Sequence, residues 1–140
     1  MKFRKINNIF FVGIGGIGMS GIAELLMNLR FNISGSDISE NENVKRLRGM
    51  GVDIRIGHNI NNVTNDIDVL VYSSAVSQEN PEIIRAKQKN IPIIRRAEML
   101  GELISVKETS IAIGGTHGKT TTSSMVGTVL SHENMDPTLV

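Results

Sequence analysis

The chain is expected to fold as an α/β protein with a Rossmann-like, doubly wound parallel sheet. Three observations carry that expectation. Short, fully apolar runs at residues 9–12 and 69–72 alternate with stretches of helical periodicity, the pattern of strands covered on both faces by crossover helices. A glycine loop, Gly13-Ile14-Gly15-Gly16-Ile17-Gly18, follows the first run and opens the first helical stretch. Asp37 stands nineteen residues past Gly18, where a second strand ends, and a carboxylate placed there can accept from a ribose diol.

In chain order, Ile22, Leu25, Leu26 and Leu29 recur on one helix face after the glycine loop. Residues 33–37 form a short second strand. Ser39 with Glu42 reads as a capping box for a helix carrying Val44 and Leu47, closed by Gly51. Val52, Ile54 and Ile56 alternate with Asp53 and Arg55, which predicts a half-exposed strand at or near an edge. Residues 59–65 are polar and turn-prone. The apolar strand 69–72 is followed by Ser73-Ser74-Ala75, and Asn80-Pro81 starts a helix with Asn as cap and Pro at its first position. That helix runs to about Lys89. Residues 91–94 predict a fifth strand with Pro92 near its start. Ala97, Leu100 and Ile104 predict the next helix face. Beyond it come an apolar run at 111–113, expected as a strand, a second glycine loop, and a helix with Met125, Val126, Val129 and Leu130 on one side.

Two units are therefore expected: a complete Rossmann-like domain over residues 1–107, and over 108–140 a single strand–loop–helix unit. One such unit cannot bury both its faces, so the second domain is expected to be cut short. Its exposed faces make self-association a natural expectation.

Composition narrows the function classes. The 140 residues carry a net charge of +1, four phenylalanines, one tyrosine and no cysteine. This argues against a nucleic-acid surface or an aromatic base-stacking platform, and excludes disulfides and thiolate metal sites. Apolar runs fall far short of the ~20 residues that span a bilayer. The basic start, Met1-Lys2-Phe3-Arg4-Lys5, lacks the longer apolar stretch of a signal peptide. A cytoplasmic protein with no membrane partner is expected.

The first loop reads as a nucleotide-diphosphate site, because strand, helix and acid all stand in the required context. Backbone N–H groups read only phosphates, so NAD, FAD and a UDP-sugar remain open. Ser73 and Ser74 follow the strand expected beside the first across the switch point, where small hydroxyl residues either hold a phosphate or sugar or merely cap a turn. His58 reads more readily as a loop histidine than as a ligand contact.

The second loop, Gly114-Gly115-Thr116-His117-Gly118-Lys119-Thr120-Thr121-Thr122, is two residues shorter than the usual phosphate loop. Its parts are nonetheless those of a polyphosphate cradle: glycines, a lysine for the β- and γ-phosphates, and a hydroxyl, Thr120, for Mg²⁺. His117 either touches phosphate or is tolerated in a tight turn.

Two nucleotide loops in this order resemble the Mur ligases of peptidoglycan synthesis. The resemblance is carried by residues 11–24, Ser34-Gly35-Ser36-Asp37, Ser73-Ser74-Ala75, Asn80-Pro81-Glu82-Ile83, residues 94–100 and Gly115-Thr116-His117-Gly118-Lys119-Thr120-Thr121-Thr122, and within the family it lies with the alanine-adding members. It implies that the first domain binds UDP-N-acetylmuramate. Gly15, Gly16, Ile17 and Gly18 would hold the pyrophosphate, Ser36 and Asp37 the uridine side, and Ser73, Ser74, His58 and Arg96 the remainder. It further implies that Gly115, Thr116, His117, Gly118, Lys119, Thr120 and Thr121 bind MgATP, with Lys119 the catalytic cation and Thr120 a metal ligand. L-Alanine would be the second substrate, joined through an acyl phosphate. Family members continue into further domains, so the 140-residue chain is expected to bind substrate without turning it over. The competing reading is an NAD(H)- or nucleotide-sensing Rossmann module, which would share the first loop and Asp37 but has no use for the second.

Overall fold

The structure, a computed structural model, describes residues 6–139. The basic start at residues 1–5 and Val140, the last residue of a stretch (136–140) whose sequence suggests entry into a strand, lie outside the described residues. Five strands, β1 (Asn8–Val12), β2 (Asn32–Asp37), β3 (Asp53–Ile56), β4 (Val69–Tyr72) and β5 (Ile93–Arg95), form one sheet in the order β3-β2-β1-β4-β5. Every pairing is parallel. The helices are α1 (Ile17–Asn28), α2 (Glu42–Gly49), α3 (Pro81–Gln88), α4 (Arg96–Val106) and α5 (Lys119–His132). From β1 the chain winds outward through β2 to β3, then crosses back to β4 on the other side of β1. The switch point therefore lies between β1 and β4, where a crevice opens at the strands' carboxyl ends.

The period of two along each strand builds two cores. Ile9 and Phe11 of β1 join Val69 and Val71 of β4 beneath α1, α2 and α4. Phe10, Val12, Leu70 and Tyr72 face the other way, against Ile83 and Ala86 of α3. With both faces covered, β1 and β4 must be apolar almost throughout, which is why they are the easiest strands to read from sequence. β3 forms the sheet edge, as expected; Val52 and Ile54 are buried and Asp53 and Arg55 exposed, as the alternation implied, but Ile56 at the strand's end is exposed, against the pattern.

Helix starts follow local chemistry. Asn80 caps α3, its Oδ1 accepting the Glu82 N–H at 2.9 Å, with Pro81 as the first helical residue. The cap of α2 is Asn41 rather than Ser39: Asn41 Oδ1 accepts the Val44 N–H at 2.9 Å. Ser39 instead gives its amide to Asp37. β5 begins two residues later than expected. Pro92 precedes it, and its carbonyl still accepts the Leu70 N–H. α4 follows β5 directly, its phase set where Glu98 accepts the Arg95 N–H at 2.8 Å. That phase buries Met99 and Leu103 and leaves Ala97 and Ile104 outside, so the expected face was rotated.

The expected strand at 111–113 does not form. Residues 107–118 hold neither helix nor strand, and Ile111 is exposed. A strand needs a neighbour to take its N–H and C=O groups, and no strand of the described sheet pairs with this run. α5 forms as expected, with Val126 and Leu130 half-buried but Met125 and Val129 exposed. No helix among the described residues is long and apolar enough to cross a membrane.

Candidate functional site

The glycine loop is fastened at the mouth of the switch-point crevice. Gly13 adopts φ +78°, where a side chain is strained, and the amides of Gly13 and Ile14 both donate to the Ser36 carbonyl, at 2.9 and 3.0 Å. Gly15 is held from three sides. Its N–H donates to Asp37 Oδ2 at 2.7 Å, and its carbonyl accepts from the side-chain amides of Asn41 and Asn43 at 3.1 and 3.0 Å. A Cβ at Gly15 would stand 2.8 Å from Asp37 Oδ2 and 2.7 Å from Asn41 Nδ2, so a side chain there would displace both of the groups that hold the loop. Gly16 precedes α1 without a side-chain cap. The first-turn amides of α1 therefore remain available to an anion, in the positive field of the helix terminus.

Four other strand ends bring polar groups to the same edge of the sheet. Ser73 lies beside Gly13 across the switch point, half-buried, whereas Ser74 is exposed. Arg96, the first residue of α4, reaches over the first turn of α1: a Cβ at Gly18 would stand 2.7 Å from its Nη1. A guanidinium over uncapped helix amides suits a phosphate group. Ile17, in the loop itself, is almost fully exposed. Arg95 donates from Nε to the Tyr72 hydroxyl at 3.3 Å. This bond lowers the Tyr72 phenol below its ordinary value and raises Arg95.

Asp37 and Ser36 are more committed than the sequence suggested. Asp37 is buried and spans the Gly15 and Ser39 amides. The Ser36 side chain is fully buried beneath the loop, its hydroxyl donating to Glu82 Oε2 at 2.6 Å. His58 joins them, with Nδ1 2.8 Å from Glu82 Oε2 and 3.1 Å from Ser36 Oγ. Glu82 Oε1 accepts from Asn62 Nδ2 at 2.6 Å and the Asn59 amide at 3.4 Å. Sequence reasoning assigned Glu82 no role. Asn-Pro-Glu announces a helix start, but nothing in it says that the glutamate turns inward and is fully buried.

The second loop stands apart, and no hydrogen bond among the described residues links it to the first. Gly118 caps α5 in the left-handed conformation at φ +75°, Gly115 sits at φ +148°, and Lys119 Nζ donates back to the Gly115 carbonyl at 2.5 Å. Thr116, His117, Thr120 and Thr121 are exposed. A left-handed glycine, open helix amides, a lysine and a hydroxyl are the donor set that a nucleotide triphosphate with Mg²⁺ requires, so the residues present fit that group.

Fold and loops together define an α/β protein with a Rossmann-like crevice and a second, separate glycine loop at a helix start. Residues 8–108 match the Mur ligase family, catalytic domain, and the chain belongs to that family. It is 57% identical over 138 residues to the UDP-N-acetylmuramate–L-alanine ligase of Trichlorobacter lovleyi, an alignment covering 99% of this chain and 30% of that protein. Against the Geobacter sulfurreducens protein of the same name it is 56% identical, covering 99% and 29%. The fold superposes on the crystal structure of UDP-N-acetylmuramate-alanine ligase from Thermotoga maritima with a TM-score of 0.86 at 38% identity, over 91% of this chain and 30% of that one. A murein peptide ligase from Psychrobacter arcticus gives 0.84 at 27% identity, over 91% and 27%. The chain thus spans about a third or less of the length of these relatives.

Proposed function

We propose that the chain is the UDP-N-acetylmuramate-binding part of an ATP-dependent ligase that joins L-alanine to that substrate. The observation that carries this reading is the pairing of a diphosphate cradle at the switch point with a separate Gly-Lys-Thr loop about a hundred residues on. The open amides of Ile17 and Gly18 and the Arg96 guanidinium take the diphosphate, on a turn that Gly15 and Gly16 shape with their own amides already bonded to Asp37 and the Gly13 carbonyl. Asp37 shapes the loop from the uridine side, Ser73 and Ser74 flank the rest of the ligand, and His58 lines the crevice from the end of β3. At the second loop, Gly115, Thr116, His117, Gly118 and Thr121 surround the triphosphate of ATP. Lys119 neutralises charge on the transferring phosphoryl group, and the Thr120 hydroxyl holds Mg²⁺. The carboxylate of the substrate is activated as an acyl phosphate, from which the amine of L-alanine displaces phosphate. The 140-residue chain corresponds to residues 1–107 as the UDP-substrate unit and 108–140 as the start of the ATP unit, and it binds without turning over.

Calorimetry of the chain against UDP-N-acetylmuramate, NADH and ATP tests this. Saturable binding of UDP-N-acetylmuramate and none of NADH is expected, together with no phosphate release when both substrates and L-alanine are supplied. Binding of NADH alone would instead make the chain a nicotinamide-sensing module, the reading that Asp37 and the first loop would equally serve.

A further inference from the structure

A fully buried glutamate in the first turn of α3 is not needed to cap the helix, because Asn80 already does so. Its two oxygens are nevertheless matched by four partners from three segments: Ser36 of β2, His58 and Asn59 after β3, and Asn62 of the short turn Ile60–Asn62. The Asn62 amide and the Asn59 N–H can only donate, which marks Glu82 as the acceptor of the cluster. The 2.8 Å contact to His58 Nδ1 is then favourable only if Nδ1 carries the proton. No described group takes the other ring nitrogen, Nε2. The Gly57 N–H donates to the Asp37 carbonyl at 2.8 Å, which sets the following residue, His58, beside the end of β2 and the glycine loop. The ring keeps some exposure, with 18% of its side chain open, while Glu82 has none.

We propose that Glu82 is a positioning residue that acts through His58: it holds the proton on Nδ1 and so turns Nε2 toward the diphosphate of the ligand in the crevice. The proposal rests on the reading of that crevice as a UDP site. In the bound state His58 donates from Nδ1 to Glu82 and from Nε2 to a phosphate oxygen, so the imidazolium bridges the buried carboxylate and the ligand. Ser36, whose hydroxyl shares Oε2 with His58, keeps the carboxylate from rotating away. Substitution of Glu82 therefore weakens UDP binding only while His58 is present.

The test uses the 140-residue chain with UDP as probe, titrated by calorimetry, and nitrogen-15 NMR of the histidine rings. The free wild type should show the His58 proton on Nδ1, and UDP should add an N–H signature at Nε2. Glu82→Gln should weaken UDP about tenfold, the loss of one hydrogen bond to a charged group. His58→Ala should cost a similar factor, and the double variant should be no weaker than His58→Ala alone. A free-state ring protonated at Nε2, or an equal Glu82→Gln loss with and without His58, overturns the proposal. If Glu82→Gln does not fold, the ring signals of the wild type decide. A wild type that does not bind UDP overturns the UDP reading and this proposal together. A wild type that binds UDP, with a His58→Ala variant of equal affinity, overturns this proposal alone.

Discussion

Asp37 Oδ2 accepts the Gly15 N–H at 2.7 Å, tying the end of β2 to the middle of the glycine loop. The carboxylate that sequence patterns place near a ribose is thus also the strut that shapes the glycine-loop backbone. Removing it leaves a buried amide without a partner, which costs about 1–3 kcal/mol. Asp37→Ala should lower the urea midpoint accordingly and weaken UDP-N-acetylmuramate, read by calorimetry. An unchanged midpoint would show that the loop holds its shape without the strut.

Gly18 and Gly35 separate binding from folding. A Cβ at Gly35 would stand 2.6 Å from the Phe11 carbonyl oxygen and 3.0 Å from Ile14 Cδ1, both parts of the packed core. Backbone cannot give way cheaply, so Gly35→Ala should destabilise by about 1–3 kcal/mol in chemical denaturation.

At Gly18 the obstacle is only the flexible end of Arg96. Gly18→Ala should leave stability unchanged or raise it by up to about 1 kcal/mol through helix propensity. Displacing Arg96 should meanwhile cost roughly tenfold in UDP-N-acetylmuramate affinity. A variant that binds as tightly as the wild type would remove Arg96 from the site.

Tyr72 is the single tyrosine of the chain, so its ionisation can be followed by ultraviolet absorbance. The bond from Arg95 should make it ionise at lower pH than a free phenol, and Arg95→Ala should move the titration upward. The sign for stability follows from linkage. Where the folded phenol has lost its proton and the unfolded one has not, the unfolded state binds more protons, so stability rises with pH. That gain lies in the alkaline window between the two values, and it is lost as pH falls back through the folded one.

Lys119→Ala should shift the unfolding free energy by no more than about 0.5 kcal/mol, since Lys119 is exposed and bonds only to its own loop. UDP binding should be untouched while ATP binding falls. A loss of UDP affinity would mean that the two loops are coupled.

Much of this protein follows from short-range chemistry that a sequence displays. Apolar runs without alternation identify β1 and β4 as strands buried on both faces, and Asn80-Pro81 starts α3 where expected. Both glycine loops precede helices where expected, α1 and α5, because glycine next to a helix start is a local signal. What the sequence could not determine depends on partners distant along the chain. Residues 111–113 have the apolar character of a strand, yet strandedness is a property of a pair, and no described strand lies beside them. The phase of α4 was set by its direct junction with β5, which buried Met99 and Leu103 instead of Ala97 and Ile104. Glu82 is the clearest case. Its place at a helix start is local, but its burial against Ser36, His58 and Asn62 exists only because the parallel sheet brings the ends of β2 and β3 to the first turn of α3. The sequence by itself determined where the two glycine loops and their helix starts lie. Only the tertiary structure decided which polar groups hold those loops in place, because that support crosses between strands that no local pattern connects.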